Sequence, residues 1–106
     1  MRNSVVVYSV RTEFPDQATR ERYVEWLRDG HCLAVVRQGG ALSAEVTVLD
    51  TGAVDARYVF GSRADYDAYE QGPAVELGGE LARLFPAGSG VRSVRSIGVR
   101  EVRVPD

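Results

Sequence analysis

Breaker residues divide this chain into six segments whose side-chain periods switch between those of strands and those of helices. That order limits the possible folds more than any single motif does. From Ser4 to Phe14, SVVVYSVRTEF is rich in β-branched and aromatic residues, with Ser9, Arg11 and Glu13 alternating toward its end, which predicts a strand. Pro15-Asp16 breaks it. Asp16 is a suitable N-cap, and Ala18, Tyr23, Val24, Trp26 and Leu27 recur at helical spacing up to Gly30. His31 to Gln38 predicts a short second helical piece, stopped by Gly39-Gly40. Ala41 to Asp50 and Asp55 to Gly61 read as two strands, paired as a hairpin through Thr51-Gly52-Ala53. Ser62 and Asp65 fit a capping box. The helix it opens passes through Tyr66, Tyr69, Val75, Leu77, Leu81 and Leu84 to Phe85-Pro86, with a kink expected at Gly72-Pro73. Val91 to Val104, with Val94, Ile97, Val99 and Val102, returns to an extended pattern as a fourth strand.

The order β-α-β-β-α-β places both helices on one face of a four-stranded antiparallel sheet and leaves the other face bare. Apolar residues at adjacent positions, as in Val5, Val6 and Val7, imply that both faces are covered. A second copy of the sheet is the simplest cover, and it also hides exposed edges. At 106 residues the chain has room for one domain, 1–106. A domain of that size buries roughly two-thirds of its unfolded surface, so a dimer interface would supplement its core. The sequence contains no internal repeat, linker or low-complexity stretch.

Composition removes several classes of function. No apolar run approaches the ~20 residues that cross a bilayer, and MRNSVVVYSV lacks the pattern of a signal peptide, so a cytoplasmic protein without a membrane partner is expected. Cys32 is the single cysteine, which excludes an intramolecular disulfide and a cysteine-based zinc site. All 13 basic residues are arginine, so lysine Schiff-base chemistry is unavailable. The net charge of −2 and the even spread of arginines from Arg2 to Arg103 give no footprint for nucleic acid. Phosphate-binding glycine motifs, a nucleophile elbow and H-E-x-x-H are all missing, so no cofactor and no metal are expected.

The layout resembles the dimeric α/β-barrel superfamily, whose members pair two ferredoxin-like sheets back to back. The residues that carry the resemblance are Trp26-Leu27 near the end of the first helix, His31 just after it, Gly39-Gly40 leading into the second strand, and the Tyr66/Tyr69 spacing. It is most similar there to small uncharacterised members with a Trp, a His, and a helix running into a Gly turn. The resemblance implies a ferredoxin-like α+β fold, a dimeric α/β barrel, and a pocket between helices and sheet in each protomer. Relatives include cofactor-independent monooxygenases, lactone isomerases, polyketide cyclases, haem enzymes and proteins without known catalysis, so the fold does not settle the function.

Against that expected pocket, His31 is the only histidine and stands where a helical piece begins. A ring there could act as a general acid or base, held neutral by the helix N-terminus, or be a half-exposed loop residue. Cys32 diverges from it by roughly 100° in a helix and reads as a small buried hydrophobe. Tyr8, Tyr23, Tyr58, Tyr66 and Tyr69, with Trp26, suit a flat organic ligand, and Tyr8 or Tyr58 could polarise a substrate oxygen; plain packing is the competing explanation. Whether Tyr8 and Tyr58 face the helices depends on strand register. Arg57 and Arg95 lie within strands, where each needs a carboxylate or a ligand anion, Glu45 being a candidate partner.

Two functions remain open. One is a cofactor-independent cyclase, isomerase or oxygenase acting on an apolar biosynthetic intermediate, with His31, Tyr8 and Tyr58 catalytic and Trp26, Tyr23, Tyr66, Tyr69 and Arg57 binding. The other is a non-catalytic homodimer that binds a metabolite or a protein. An enclosed cavity of several hundred Å³ reached by His31 favours the first, and a space filled by Trp26 and the tyrosines favours the second.

Overall fold

The computed structural model describes residues 4–105. Four strands, β1 (Val6–Glu13), β2 (Ser43–Val48), β3 (Val54–Phe60) and β4 (Arg92–Val99), form one antiparallel sheet in the order β2-β3-β1-β4. The connection from β1 to β2 holds α1 (Gln17–Trp26), a π-helical turn (Leu27–His31) and α2 (Cys32–Arg37); that from β3 to β4 holds α3 (Arg63–Gln71) and α4 (Pro73–Leu84). This is the ferredoxin-like α+β arrangement that the element order predicts.

Register follows from burial. Val6, Tyr8, Val10 and Thr12 of β1 stand opposite Phe60, Tyr58, Ala56 and Val54 of β3, and partners in a ladder share a face. All but the partly buried Val10 are buried, and with Leu27 and Val35 from the helical segments they make the core. The alternate residues, among them Val7, Ser9, Arg57 and Val59, face away. A trough of about 900 Å³ lies between that outer face and residues 100–103.

Local chemistry sets the boundaries. Asp16 Oδ1 accepts from Thr19 N at 2.8 Å at the start of α1, and Ser62 Oγ accepts from Asp65 N at 3.1 Å at the start of α3. After α2 the chain turns through Gly40, whose φ of +82° is the left-handed cap conformation. Its neighbour Gly39 passes so close to α3 that a Cβ would sit 2.5 Å from the Val35 carbonyl oxygen and 2.7 Å from the Tyr69 ring. Only glycine fits there.

Two expectations change. The kink at Gly72-Pro73 is a full break: Pro73 has no N–H and its ring excludes the carbonyl four residues back, so α4 restarts with proline in its first turn. The first two helical pieces meet at a kink at Gly30, bridged by a π turn, and the second piece begins at His31 as expected. The fourth strand stops at Val99 instead of Val104, because its pairing with β1 runs out at Val6, with one further bond from Arg100 N to Val5 O at 2.8 Å. Among the described residues, no helix is long and apolar enough to cross a membrane.

Candidate functional site

A cavity of about 140 Å³ lies between the helices and the sheet, lined by Tyr8, Tyr23, Trp26, His31, Tyr58 and Tyr69, with Leu77 of α4 and Arg95 of β4 among the other walls. Pairing in register puts Tyr8 and Tyr58 side by side on the helix face, rings stacked at 5.9 Å and 28°, 5% and 2% exposed. From α3, Tyr66 and Tyr69 share one helix face at i, i+3 and reach Tyr8 with ring centroids 5.4 and 6.2 Å away. Tyr23 of α1 is anchored from the sheet, its hydroxyl accepting from Thr12 Oγ1 at 3.2 Å.

The π turn delivers His31. Residues five apart on an α-helix point in different directions, but Cys32 N bonds back to Leu27 O across five residues and Gly30 leaves helical dihedrals (φ 176°, ψ −31°). Trp26 and His31 are thereby stacked, centroids 4.0 Å apart at 23°, and the imidazole meets Tyr58 edge-on at 6.4 Å. Its Nδ1 is buried and makes no hydrogen bond within the described residues. Burial lowers the His31 pKa to about 4, against a smaller upward pull from Glu80. The ring is therefore neutral at pH 7 through desolvation, and not through the helix N-terminus that the sequence suggests.

This neutrality makes stability depend on pH. The unfolded chain protonates His31 near 6.5 and the folded one only near 4, so the unfolded state binds more protons between those values. Stability is complete above pH 6.5 and falls as pH drops toward 4. With discount for the partly exposed ring, the parent protein loses about 2 kcal/mol over that window that the His31→Gln variant does not. Urea unfolding of both proteins at pH 7 and pH 4 measures the difference, and equal losses would remove the assignment.

The phenols are protonated donors at neutral pH. Burial pushes Tyr8 and Tyr58 up, and Tyr69 up to about 12. Cys32 Sγ lies 3.9 Å from Tyr58 OH and its thiol is also raised by burial, consistent with a half-buried packing residue. No group of three or more histidine, cysteine or acidic residues is arranged to hold a metal among the described residues.

Arg57 is not brought to the cavity. It is the neighbour of inward-facing Tyr58, so strand alternation sends it to the outer face, where it pairs with Glu45 and Asp55, each at 3.9 Å. The arginine at the cavity is Arg95, which donates to Tyr8 OH at 3.5 Å and to Glu70 Oε1 at 3.2 Å, while Tyr66 OH donates to the same carboxylate oxygen at 2.8 Å. Glu70 was legible only as the i+4 neighbour of Tyr66. Glu80, which accepts from Trp26 Nε1 at 2.8 Å, carries no local signal at all, since 54 residues separate the pair.

No family model matches the chain, and no curated protein does. Among solved structures, a dimeric ferredoxin-like protein from an uncultured marine organism superposes with a TM-score of 0.71 at 10% identity over 98% of this chain and 94% of that one. A mutant of SnoaB, a cofactor-independent oxygenase from Streptomyces nogalater, gives 0.71 at 12% identity over 96% and 98%. The ActVA-Orf6 monooxygenase of Streptomyces coelicolor, in complex with nanaomycin D, gives 0.62 at 23% identity over 98% and 93%. At these identities the likeness is one of fold, and the chain has the ferredoxin-like fold that it shares with a dimeric ferredoxin-like protein, a cofactor-independent oxygenase and a monooxygenase.

Proposed function

We propose that two copies of this chain associate and that each binds a flat, mostly apolar organic molecule in the helix–sheet cavity, on which it acts without a cofactor. His31 takes a proton from a carbon next to a carbonyl group. The electron pair moves to the oxygen, which accepts a hydrogen bond from Tyr8 or Tyr58. Trp26, Tyr23, Tyr66 and Tyr69 form the walls. Such an anion is the first intermediate of an isomerase, a cyclase or a cofactor-independent oxygenase alike.

The observation that carries this reading is a neutral imidazole, its Nδ1 without a hydrogen-bond partner among the described residues, in the wall of a cavity that it shares with protonated phenols. The cavity volume favours the non-catalytic alternative, since about 140 Å³ is well below several hundred. One experiment separates the two. Acetophenone offers a single ring with a carbonyl and exchangeable methyl protons, and the enzyme reading requires the protein to speed their exchange with deuterated water, followed by NMR. Binding without faster exchange leaves only the metabolite-binding role.

Association of two copies is supported by apolar side chains left open along the edge strand β4, Val94 at 71% exposed on the outer face and Ile97 and Val99 at 45% on the helix side. Light scattering at micromolar concentration is expected to give twice the chain mass of 11.6 kDa. A value near 11.6 kDa removes the dimer.

A further inference from the structure

A second, larger space adjoins the cavity. A groove of about 560 Å³ opens on the outer side of the same rings, between α1 and α4, and Trp26, His31 and Leu77 line both volumes. The stacked Trp26–His31 pair is thus the wall between them. A space near 150 Å³ holds about one ring, so any ligand of two or more rings requires that wall to move.

The wall is lightly fastened. Its one hydrogen bond among the described residues is from Trp26 Nε1 to Glu80 Oε1, and Glu80 is exposed on α4. Gly30, outside helical dihedrals and with nothing within 4 Å of a would-be Cβ, precedes His31. Across the cavity, Gly78 of α4 likewise leaves its side-chain position empty.

We propose that the Trp26–His31 pair is a movable partition between groove and cavity, that Glu80 is the positioning residue holding it shut, and that ligands of more than one ring enter from the groove. The last part rests on the reading of the cavity as a ligand site. The groups that face His31 are Glu80 from α4, Arg22 and Glu25 from α1 and Asp29 from the π turn on the groove side. On the cavity side they are Tyr58 from β3, Tyr8 from β1, Tyr23 from α1, Tyr69 from α3 and Arg95 from β4.

The sequence makes the test clean, because Trp26 is the only tryptophan and His31 the only histidine. In the Glu80→Ala protein, acrylamide quenching of Trp26 fluorescence reports an open population about fivefold larger, the equilibrium equivalent of one net hydrogen bond. The Glu80→Gln protein keeps an acceptor oxygen and is quenched like the parent. NMR titration of His31 has a sign that separates the alternatives. Removing the carboxylate alone lowers the pKa further below about 4, whereas opening the partition to water raises it toward 6.5. Association of 1-tetralone, a two-ring ketone, quickens by the same factor, while that of single-ring acetophenone changes little. Unchanged quenching together with a lower His31 pKa overturns the partition. Increased quenching with neither ketone binding upholds the partition and overturns the ligand reading instead.

Discussion

Exchange of the acetophenone methyl protons with deuterated water is expected to slow by about 10²-fold when His31 is replaced by glutamine, the lower end of the 10²–10⁴ span of general acid–base assistance. The reason for the lower end is the environment of the ring. Burial brings its pKa to about 4, so all of the imidazole is in the basic form at pH 7, but each ring is a weaker base than one near 6.5. The same shift fixes the pH profile: catalysed exchange is flat above pH 5 and falls as pH drops through 4, where His31 gains its proton. Glutamine keeps a polar side chain of similar reach, so acetophenone affinity stays within a few-fold and the loss appears in kcat rather than KM. Equal exchange by parent and variant would remove His31 from the chemistry.

The elements were legible in the sequence because their signals are local. Alternation in β1 and β3, the Asp16 and Ser62 caps and the Gly39-Gly40 stop all act within a few residues of where they stand. The site was legible only in part. His31, Trp26 and the tyrosines could be named, yet the pairing of Tyr8 with Tyr58 depends on the register between strands about fifty residues apart, which no turn between them dictates. The fate of Arg57 followed from that register: once Tyr58 points inward, its neighbour must point outward. Arg95 enters the site by the same parity, opposite inward-facing Val10. The π turn hides for another reason. Gly30 marks the kink and is legible as the end of the first helix, but the one hydrogen bond closed across five residues, which sets His31 over Trp26, has no propensity signal.

Replacing Phe60 by alanine is expected to destabilise the fold by about 3–5 kcal/mol, the usual range for a buried aromatic cut back to a methyl. Phe60 is fully buried, stands opposite Val6 in the sheet, and packs edge-on against Tyr66 at 5.4 Å and tilted against Tyr69 at 5.3 Å. The neighbours cannot close over the hole. Tyr69 already presses on the backbone at Gly39, and Tyr66 is tied by its hydroxyl to Glu70, so neither ring is free to fall inward. In a domain whose total stability is about 5–15 kcal/mol, such a loss lowers the melting temperature by roughly 15–30 °C. Phe60→Leu keeps most of the volume and costs about 1.5 kcal/mol at most, so the two variants together separate the effect of a cavity from the effect of losing an aromatic face. Thermal and urea unfolding measure both, and a Phe60→Ala loss below about 1 kcal/mol would show that α3 can settle onto the sheet. In that event Tyr69 would shift with α3, the wall it gives the ligand cavity would move, and exchange of acetophenone protons would change in a variant whose substitution lies outside the cavity lining.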